Sequence, residues 1–130
     1  YMNYEKNSSR TAGGDAAETS KKLRALAGRT QTVIIAITQA DEGGEDTDED
    51  GNRELELPKR SGVKKTKALL EDAYLLIAVD TDYKQGRGLV GVNKGRDGGE
   101  GNISEIQYLP QYGIVKELQF CDKDKEEFEF

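Results

Sequence analysis

The chain contains no histidine and only one cysteine, Cys121, among its 130 residues. A single cysteine cannot form an internal disulfide, and without histidine the chain can build neither a structural zinc cluster nor a histidine-based catalytic triad. No stretch approaches the roughly 20 apolar residues of a membrane span, and the N-terminus does not resemble a signal peptide. We therefore expect an intracellular protein with no membrane partner.

Apolar residues are also scarce. Hydrophobic residues make up 35% of the chain and charged residues 34%, so we expect a few apolar elements joined by solvated loops in one modest domain. The net charge of −6 is unevenly distributed. Residues 41–56 carry nine acidic residues and one basic residue, whereas residues 59–67 carry five basic residues and no acidic one. Local charge, rather than the total, decides which partners each segment can bind.

The first half of the chain predicts a helix followed by a buried strand. Residues 14–28 have apolar residues on one helical face, with Asp15 at the N-terminus and Gly28 as a stop signal. Residues 32–38 form a continuous β-branched run, which favours a strand buried on both faces and therefore a parallel sheet between helices.

Residues 39–58 have no apolar periodicity and predict a long solvated loop. A short helix over 65–72, a buried strand over 73–79, a third strand over 89–93 and a hairpin over 103–118 are expected next. This order predicts the C-terminal half of an α/β fold, with a mostly parallel sheet and an antiparallel edge hairpin.

Lys94 and Arg96 stand at the end of the third predicted strand, before the glycine-rich residues 97–101. A lysine and an arginine two residues apart on an extended segment point to one side, and together they suit a phosphate group. The alternative is a solvated hairpin tip, since turns are often glycine-rich and polar.

Gln39 and Asp80 each follow a predicted buried strand, at the sheet edge where ligands of α/β proteins bind. A glutamine there can hydrogen-bond a γ-phosphate or orient a water molecule, or it can simply cap the strand.

The basic segment holds the best candidates for nucleic-acid contacts, Lys64, Lys65 and Lys67. Lysines before a helix can hold phosphates of a nucleic-acid strand, although a solvated basic helix start is an equal alternative. Asp46, Asp48 and Asp50 imitate the opening of an EF-hand calcium loop, but Leu57 occupies its twelfth position, so we expect a solvated acidic loop instead.

The chain also lacks the sequence Gly-x-x-x-x-Gly-Lys-[Ser/Thr], so it does not hold a nucleotide by itself in the usual way. Four segments nevertheless resemble, in order and spacing, the C-terminal ATPase domain of DnaB-type replicative helicases and their phage relatives. They are residues 18–27, residues 33–39, residues 66–74 and residues 94–101, whose Lys-Gly-Arg-Asp-Gly-Gly-Glu-Gly resembles the family's Lys-Gln-Arg-Asn-Gly-Pro-Thr-Gly.

The resemblance implies that residues 1–118 are a partial RecA-like domain and that residues 119–130 are an acidic tail. It implies an ATP-dependent DNA helicase that moves along single-stranded DNA as a hexamer, in a bacterial cytoplasm or a phage-infected host. Gln39 would sense the γ-phosphate, Lys94 and Arg96 would reach the neighbouring subunit's nucleotide, and Lys64, Lys65 and Lys67 would contact DNA. ATP and Mg²⁺ would be held mainly by residues outside this chain, which we expect to be inactive alone.

The sequence departs from the family at several places, and the most important is that the phosphate loop and the magnesium-binding aspartate are missing. Ala40-Asp41 replaces an Asn-Arg pair, and Tyr74 replaces an aspartate. Tyr1-Met2 resemble the residues that follow the family's magnesium-binding aspartate, so we expect this chain to be part of a longer one. The alternatives are a recombinase or circadian-clock-type ATPase of the same fold, and a non-catalytic module whose acidic loop and tail bind a basic partner.

Overall fold

The computed structural model describes residues 12–40, 47–62 and 67–118, and these form a small α/β domain with two α-helices and a four-stranded antiparallel sheet. The helices are α1 (Ala12–Thr30) and α2 (Lys67–Asp72). The strands are β1 (Leu75–Asp82), β2 (Arg87–Gly95), β3 (Ile103–Leu109) and β4 (Ile114–Glu117). Short 3₁₀ turns at Arg60–Gly62 and Pro110–Tyr112 complete the regular structure.

Helix α1 confirms the helix predicted over 14–28 and extends two residues beyond Gly28. It ends where Gln31 adopts a left-handed backbone with φ 52°, and the Gln31 side chain donates a hydrogen bond of 2.7 Å to the Gly28 carbonyl. The side chain thus satisfies one of the carbonyls that a helix end leaves free. The helix therefore ends just before Gln31, and not at Gly28 as the sequence predicts.

Helices α1 and α2 pack against each other through small and polar side chains. Ala16 is fully buried, and the buried Ser20 donates a hydrogen bond of 2.6 Å to Asp72. Arg24 makes a weaker contact of 3.4 Å with the same carboxylate. A small residue lets the helices approach closely, and the Ser20–Asp72 bond fixes their relative register.

The sheet follows the chain order β1-β2-β3-β4, with every neighbouring pair antiparallel. These strands confirm the strand positions predicted near 73–79, 89–93 and 103–118. The prediction of a buried strand over 73–79 is wrong in one respect, because Leu75, Ile77 and Val79 are each about half exposed. Strand β1 is longer than predicted and includes Asp80, Thr81 and Asp82, because it pairs with β2 as far as Arg87. It also lies at the edge of the sheet, so one of its sides has no partner strand in the described residues.

Residues 32–38, in contrast, do not form the predicted buried strand. No strand is assigned there, and Val33 and Ile35 are 90% and 85% exposed. A β-branched run has a high strand propensity, but a buried strand also needs neighbours to pair with and pack against. None of the described strands pairs with this segment, and the parallel sheet that was predicted from it is therefore not formed.

The two faces of the sheet are covered unequally. Leu57 packs over Gly91, on the face of the sheet that carries Ala78. Gly91 leaves room for it, because a Cβ at this position would lie 2.4 Å from the Leu57 side chain. The opposite surface of β1 carries Leu75, Ile77 and Val79, each about half exposed. We call these three residues the open face. No helix in the described residues is long and apolar enough to cross a membrane.

Candidate phosphate-binding site

The candidate site lies where the end of β2 meets the junction between α2 and β1. Gly95 and Lys94 pair with Leu75 and Leu76, the first residues of β1. The register then shifts, because Ile77 pairs with Val92 and leaves Asn93 as an extra residue in β2. Such a bulge bends a strand and turns its neighbouring side chains in a new direction. Lys94 and Arg96 both lie at this junction, but they have different partners there.

Lys94 is engaged with the end of α2. Its ammonium donates hydrogen bonds of 2.8 Å to two backbone carbonyls, those of Leu70 and Glu71. These carbonyls belong to the last turn of the helix, where the backbone leaves acceptors unpaired and a positive charge is favourable. Lys94 therefore holds the helix end in place, and two of its three N–H donors are already used.

Arg96 has a different environment, since its guanidinium is exposed and lies over the ring of Tyr74, 5.8 Å from the ring centre. Its backbone N–H donates to the Tyr74 carbonyl at 3.3 Å, and the Tyr74 hydroxyl donates to the carboxylate of Asp97. None of the ion pairs found within the described ranges includes Arg96. Of the two predicted cations, Arg96 is thus the one that can offer its charge to a ligand.

Arg96 stands within a tight, glycine-rich turn over residues 95–101, and only glycine fits at the first position of this turn. A Cβ on Gly95 would lie 2.1 Å from the backbone oxygen of Gly98, which is far below any real contact. Gly98, Gly99 and Gly101 have φ values of 109°, 78° and 89°, a region that other residues rarely adopt. The turn therefore fixes where Arg96 leaves the sheet.

Arg60 connects the basic segment to the same end of β2, and sequence reasoning missed this role. Its Nε donates to the Asn93 carbonyl at 2.7 Å, and its Nη2 lies 2.5 Å from a carboxylate oxygen of Glu100. Asn93 in turn donates to the Pro58 carbonyl at 2.7 Å. The Arg60–Asn93 contact spans 33 positions of the sequence and the Asn93–Pro58 contact spans 35, so no local pattern could have revealed them.

The other predicted site residues are not brought to this junction by any contact in the described residues. Gln39 is exposed at the end of the unpaired segment 32–40. Lys67 is 86% exposed and makes only a 3.9 Å contact with Glu71, one turn further along α2. Lys64 and Lys65 lie outside the described residues.

We expected Asp80 at a ligand-binding edge, but its carboxylate forms an ion pair with Arg53. The guanidinium makes two hydrogen bonds with the carboxylate, of 3.0 and 2.8 Å, and the Glu56 backbone N–H adds a third of 2.9 Å. The hydrogen bond to Asp80 raises the pKa of Arg53. We call the Arg53–Asp80–Glu56 contacts the clasp, because they hold residues 53–57 on the sheet.

The described residues contain no group of three or more His, Cys, Asp or Glu side chains that could hold a metal ion. In the acidic segment, the Asp48 carboxylate accepts hydrogen bonds from the backbone N–H groups of Asp50 and Asn52, at 3.0 and 2.8 Å. Its oxygens stabilise a local turn. The donor set of this part of the chain therefore does not fit the Mg²⁺ that the resemblance implies.

No protein-family model matches the chain, and no curated protein or solved structure matches it.

Proposed function

We propose that this chain is part of the RecA-like motor core of an ATP-dependent replicative DNA helicase that moves along single-stranded DNA as a hexamer. The observation that carries the proposal is Arg96, an exposed guanidinium at the end of a strand, without a carboxylate partner in the described residues. Arginine binds phosphate through several N–H donors at once. In this proposal, Arg96 contacts the nucleotide held by the neighbouring subunit and stabilises the charge that develops during hydrolysis.

The packing of the helices supports the RecA-like part of the proposal. Helix α1 ends at Thr30 and the β-branched segment 32–38 follows at once; α2 ends at Asp72 and β1 begins at Leu75. Packed helices that each lead into an apolar, β-branched segment are typical of neighbouring helix–strand units in α/β folds. We infer that residues 32–38 add to the unpaired edge of β1 when the rest of the core is present, which would make the sheet parallel there.

The DNA contacts follow from the position of the basic segment. Arg60 holds the start of this segment against Asn93, near the end of β2 that Arg96 follows. Lys64, Lys65 and Lys67 then follow within seven residues in the sequence. We propose that these three lysines contact the DNA backbone.

The chain's own residues set a limit to its role. The residues that the structure describes offer no group of side chains for Mg²⁺, and the sequence has no phosphate loop, so in this proposal both come from another segment of the complete protein. The contribution of this chain is then to present Arg96 to a bound nucleotide. Gln39 keeps its proposed role as a γ-phosphate sensor only if residues 32–38 join the sheet.

The test mixes two inactive forms of the complete protein. Subunits with Arg96→Ala keep an intact phosphate loop, and subunits with an inactivated phosphate loop keep an intact Arg96. If Arg96 acts on the neighbouring subunit, the mixture will hydrolyse ATP faster than either form alone, because some interfaces pair an intact loop with an intact Arg96.

Arg87→Ala is the matched control, since Arg87 lies at the other end of β2 and pairs with Glu105. It should leave ATP hydrolysis unchanged. A mixture that hydrolyses ATP no faster than the two inactive forms do separately would contradict action between subunits.

A second function, a non-catalytic interaction module, is favoured by the exposed apolar surface of Val33, Ile35 and Ile37 together with the open face. Large exposed apolar patches often mark binding surfaces. The sequence of the full-length protein separates the two functions. A phosphate loop there supports the motor, and its absence supports the interaction module.

A further inference from the structure

Tyr74 stands where the DnaB family has an aspartate, and the structure gives this tyrosine a position directly beside Arg96. We propose that Tyr74 is the positioning residue of Arg96: its ring holds the guanidinium, and its hydroxyl keeps the Asp97 carboxylate away from it. This inference rests on the proposed function of Arg96 as a phosphate-binding group, and it adds a residue and a mechanism to that function.

The ring contributes without using the groups that phosphate needs. The Arg96 guanidinium lies over the Tyr74 ring, and within the described residues no oxygen accepts a hydrogen bond from its side-chain N–H groups. A cation–π contact is electrostatic, so it leaves these donors available for phosphate oxygens. Since a free arginine side chain loses considerable rotamer entropy when it is immobilised, holding it near the ring beforehand lowers the entropic cost of binding.

The hydroxyl acts on Asp97, the residue next to Arg96. A carboxylate beside a guanidinium would ordinarily pair with it, and such a pair would compete with phosphate. Here the Asp97 carboxylate accepts a hydrogen bond from the Tyr74 hydroxyl, and the pair with Arg96 is not formed. Tyr74 therefore keeps the charge of Arg96 free as well as keeping its position.

The backbone makes this arrangement rigid. The Arg96 N–H donates to the Tyr74 carbonyl at 3.3 Å, and Gly95 pairs with Leu75, so residues 74–75 and 95–96 form the last rung of the β1–β2 ladder. Side chains at the end of such a ladder remain close to each other. The contact of Tyr74 with Arg96 and Asp97 is thus a consequence of strand register.

The experiment measures the binding of inorganic tripolyphosphate to the 130-residue chain by NMR titration, for the wild type and for single variants. Arg96→Ala should abolish the chemical-shift changes near residue 96. Tyr74→Leu should weaken binding by at least about two- to fivefold, the factor expected from an exposed cation–π contact alone, because it also removes the hydroxyl that holds Asp97. Tyr83→Leu, the same change at an exposed tyrosine beyond the other end of β1, should bind as the wild type does.

Two further variants separate the ring from the hydroxyl. Tyr74→Phe keeps the ring but releases Asp97, so it should weaken tripolyphosphate binding; the loss should disappear when Asp97→Asn is added, because a neutral amide does not compete for Arg96. A merely structural role of Tyr74 would not be rescued by Asp97→Asn. The ring-current shift of the Arg96 side-chain protons gives an independent reading, and it should be lost in Tyr74→Leu and kept in Tyr74→Phe.

The outcomes distinguish the two proposals. If Arg96→Ala abolishes binding and Tyr74→Leu binds as tightly as Tyr83→Leu, the positioning role of Tyr74 is wrong and the function of Arg96 stands. If Arg96→Ala binds tripolyphosphate as tightly as the wild type, the phosphate-binding function itself is wrong, and the role of Tyr74 in it is wrong as well.

Discussion

At the scale of single residues, two cations separated by one glycine differ in what they are free to do. Lys94 is bound to the backbone carbonyls of Leu70 and Glu71, whereas Arg96 contacts only Tyr74 among the described residues. The sequence predicts them as a pair with one task, because it shows their spacing and charge but not the helix end beside them. The structure shows Lys94 engaged with the helix end, and phosphate binding is therefore proposed for Arg96 alone.

This division predicts unequal losses of stability for two matched substitutions. Lys94→Met should lower the free energy of unfolding by about 1–2 kcal/mol, because it removes two hydrogen bonds and a favourable charge at the end of α2. Arg96→Met should lower it by less than about 1 kcal/mol, the range of an exposed cation–π contact. Urea denaturation of the two variants checks this, and equal losses of stability would contradict the division.

Asp82 offers a residue-scale prediction that depends on pH. Hydrogen bonds from the Gln85 side chain and from the Lys84 backbone N–H lower the pKa of Asp82. A carboxyl whose pKa is lowered in the folded state stabilises the fold above its unfolded pKa, and this contribution is lost as the pH falls through the folded pKa. The relevant window lies below the ordinary carboxyl pKa of about 4.

Gln85→Ala should therefore raise the pKa of Asp82 toward its ordinary value, since it removes the strongest of these hydrogen bonds. The carboxyl ¹³C shift of Asp82, followed by NMR between pH 2 and pH 6, measures the change. Gln111→Ala, in the turn between β3 and β4, is the control and should leave that titration unchanged. A titration of Asp82 that is identical in Gln85→Ala and the wild type would show that the Gln85 hydrogen bond has no such effect.

At the scale of elements, the sheet depends on a segment that is not part of it. The clasp holds residues 53–57 against β1, and Leu57 covers the gap above Gly91. This segment comes from the loop predicted over 39–58, so a region expected to be solvated supplies a half-buried side chain, Leu57, that packs on the sheet. Its local charge predicts exposure, whereas the partner that orders it, Asp80, lies 27 residues away from Arg53.

Asp80→Asn should release this segment, because an amide cannot accept both guanidinium hydrogen bonds and the bond from Glu56 as a carboxylate does. We expect the free energy of unfolding to fall by about 1.5–3 kcal/mol, the range of hydrogen bonds to a charged group. Hydrogen exchange at the Glu56 amide should become faster. Glu54→Gln makes the same change of charge at an exposed position of the segment and should alter neither quantity; equal effects of both variants would rule out a specific clasp.

The same contrast separates what the sequence can predict of this fold from what it cannot. Strands β1 to β4 follow from β-branched runs broken by glycine-rich turns, since hairpins are built from residues that are close in sequence. The clasp and the Arg60–Asn93 contact could not be predicted, because they join segments that are remote in sequence. The candidate site divides in the same way: its position at the end of β2 follows from local pattern, whereas the roles of Lys94, Arg60 and Tyr74 depend on tertiary neighbours.

At the scale of the whole molecule, apolar residues are left without partners at two places. Residues 33, 35 and 37 are exposed, and the edge strand β1 carries the three residues of the open face. An unpaired, apolar strand edge promotes association with other strands, and natural proteins usually cover such edges. Both surfaces therefore have the character of an interface. The motor proposal joins them to each other, whereas the interaction-module proposal joins them to a separate partner.

Ile35→Lys decides between these two arrangements, because its effect depends on what covers residue 35. Ile35 is 85% exposed, so in the 130-residue chain the substitution should change the free energy of unfolding by no more than about 0.5 kcal/mol. In the complete motor, residues 32–38 would lie inside the sheet, and a buried unpaired lysine should prevent folding or ring assembly. Val115→Lys, at an exposed position of β4, should be tolerated in both settings.

Size-exclusion chromatography with light scattering measures assembly and urea denaturation measures stability. If Ile35→Lys is tolerated equally in both settings, residues 32–38 remain outside the sheet, and the RecA-like arrangement is wrong.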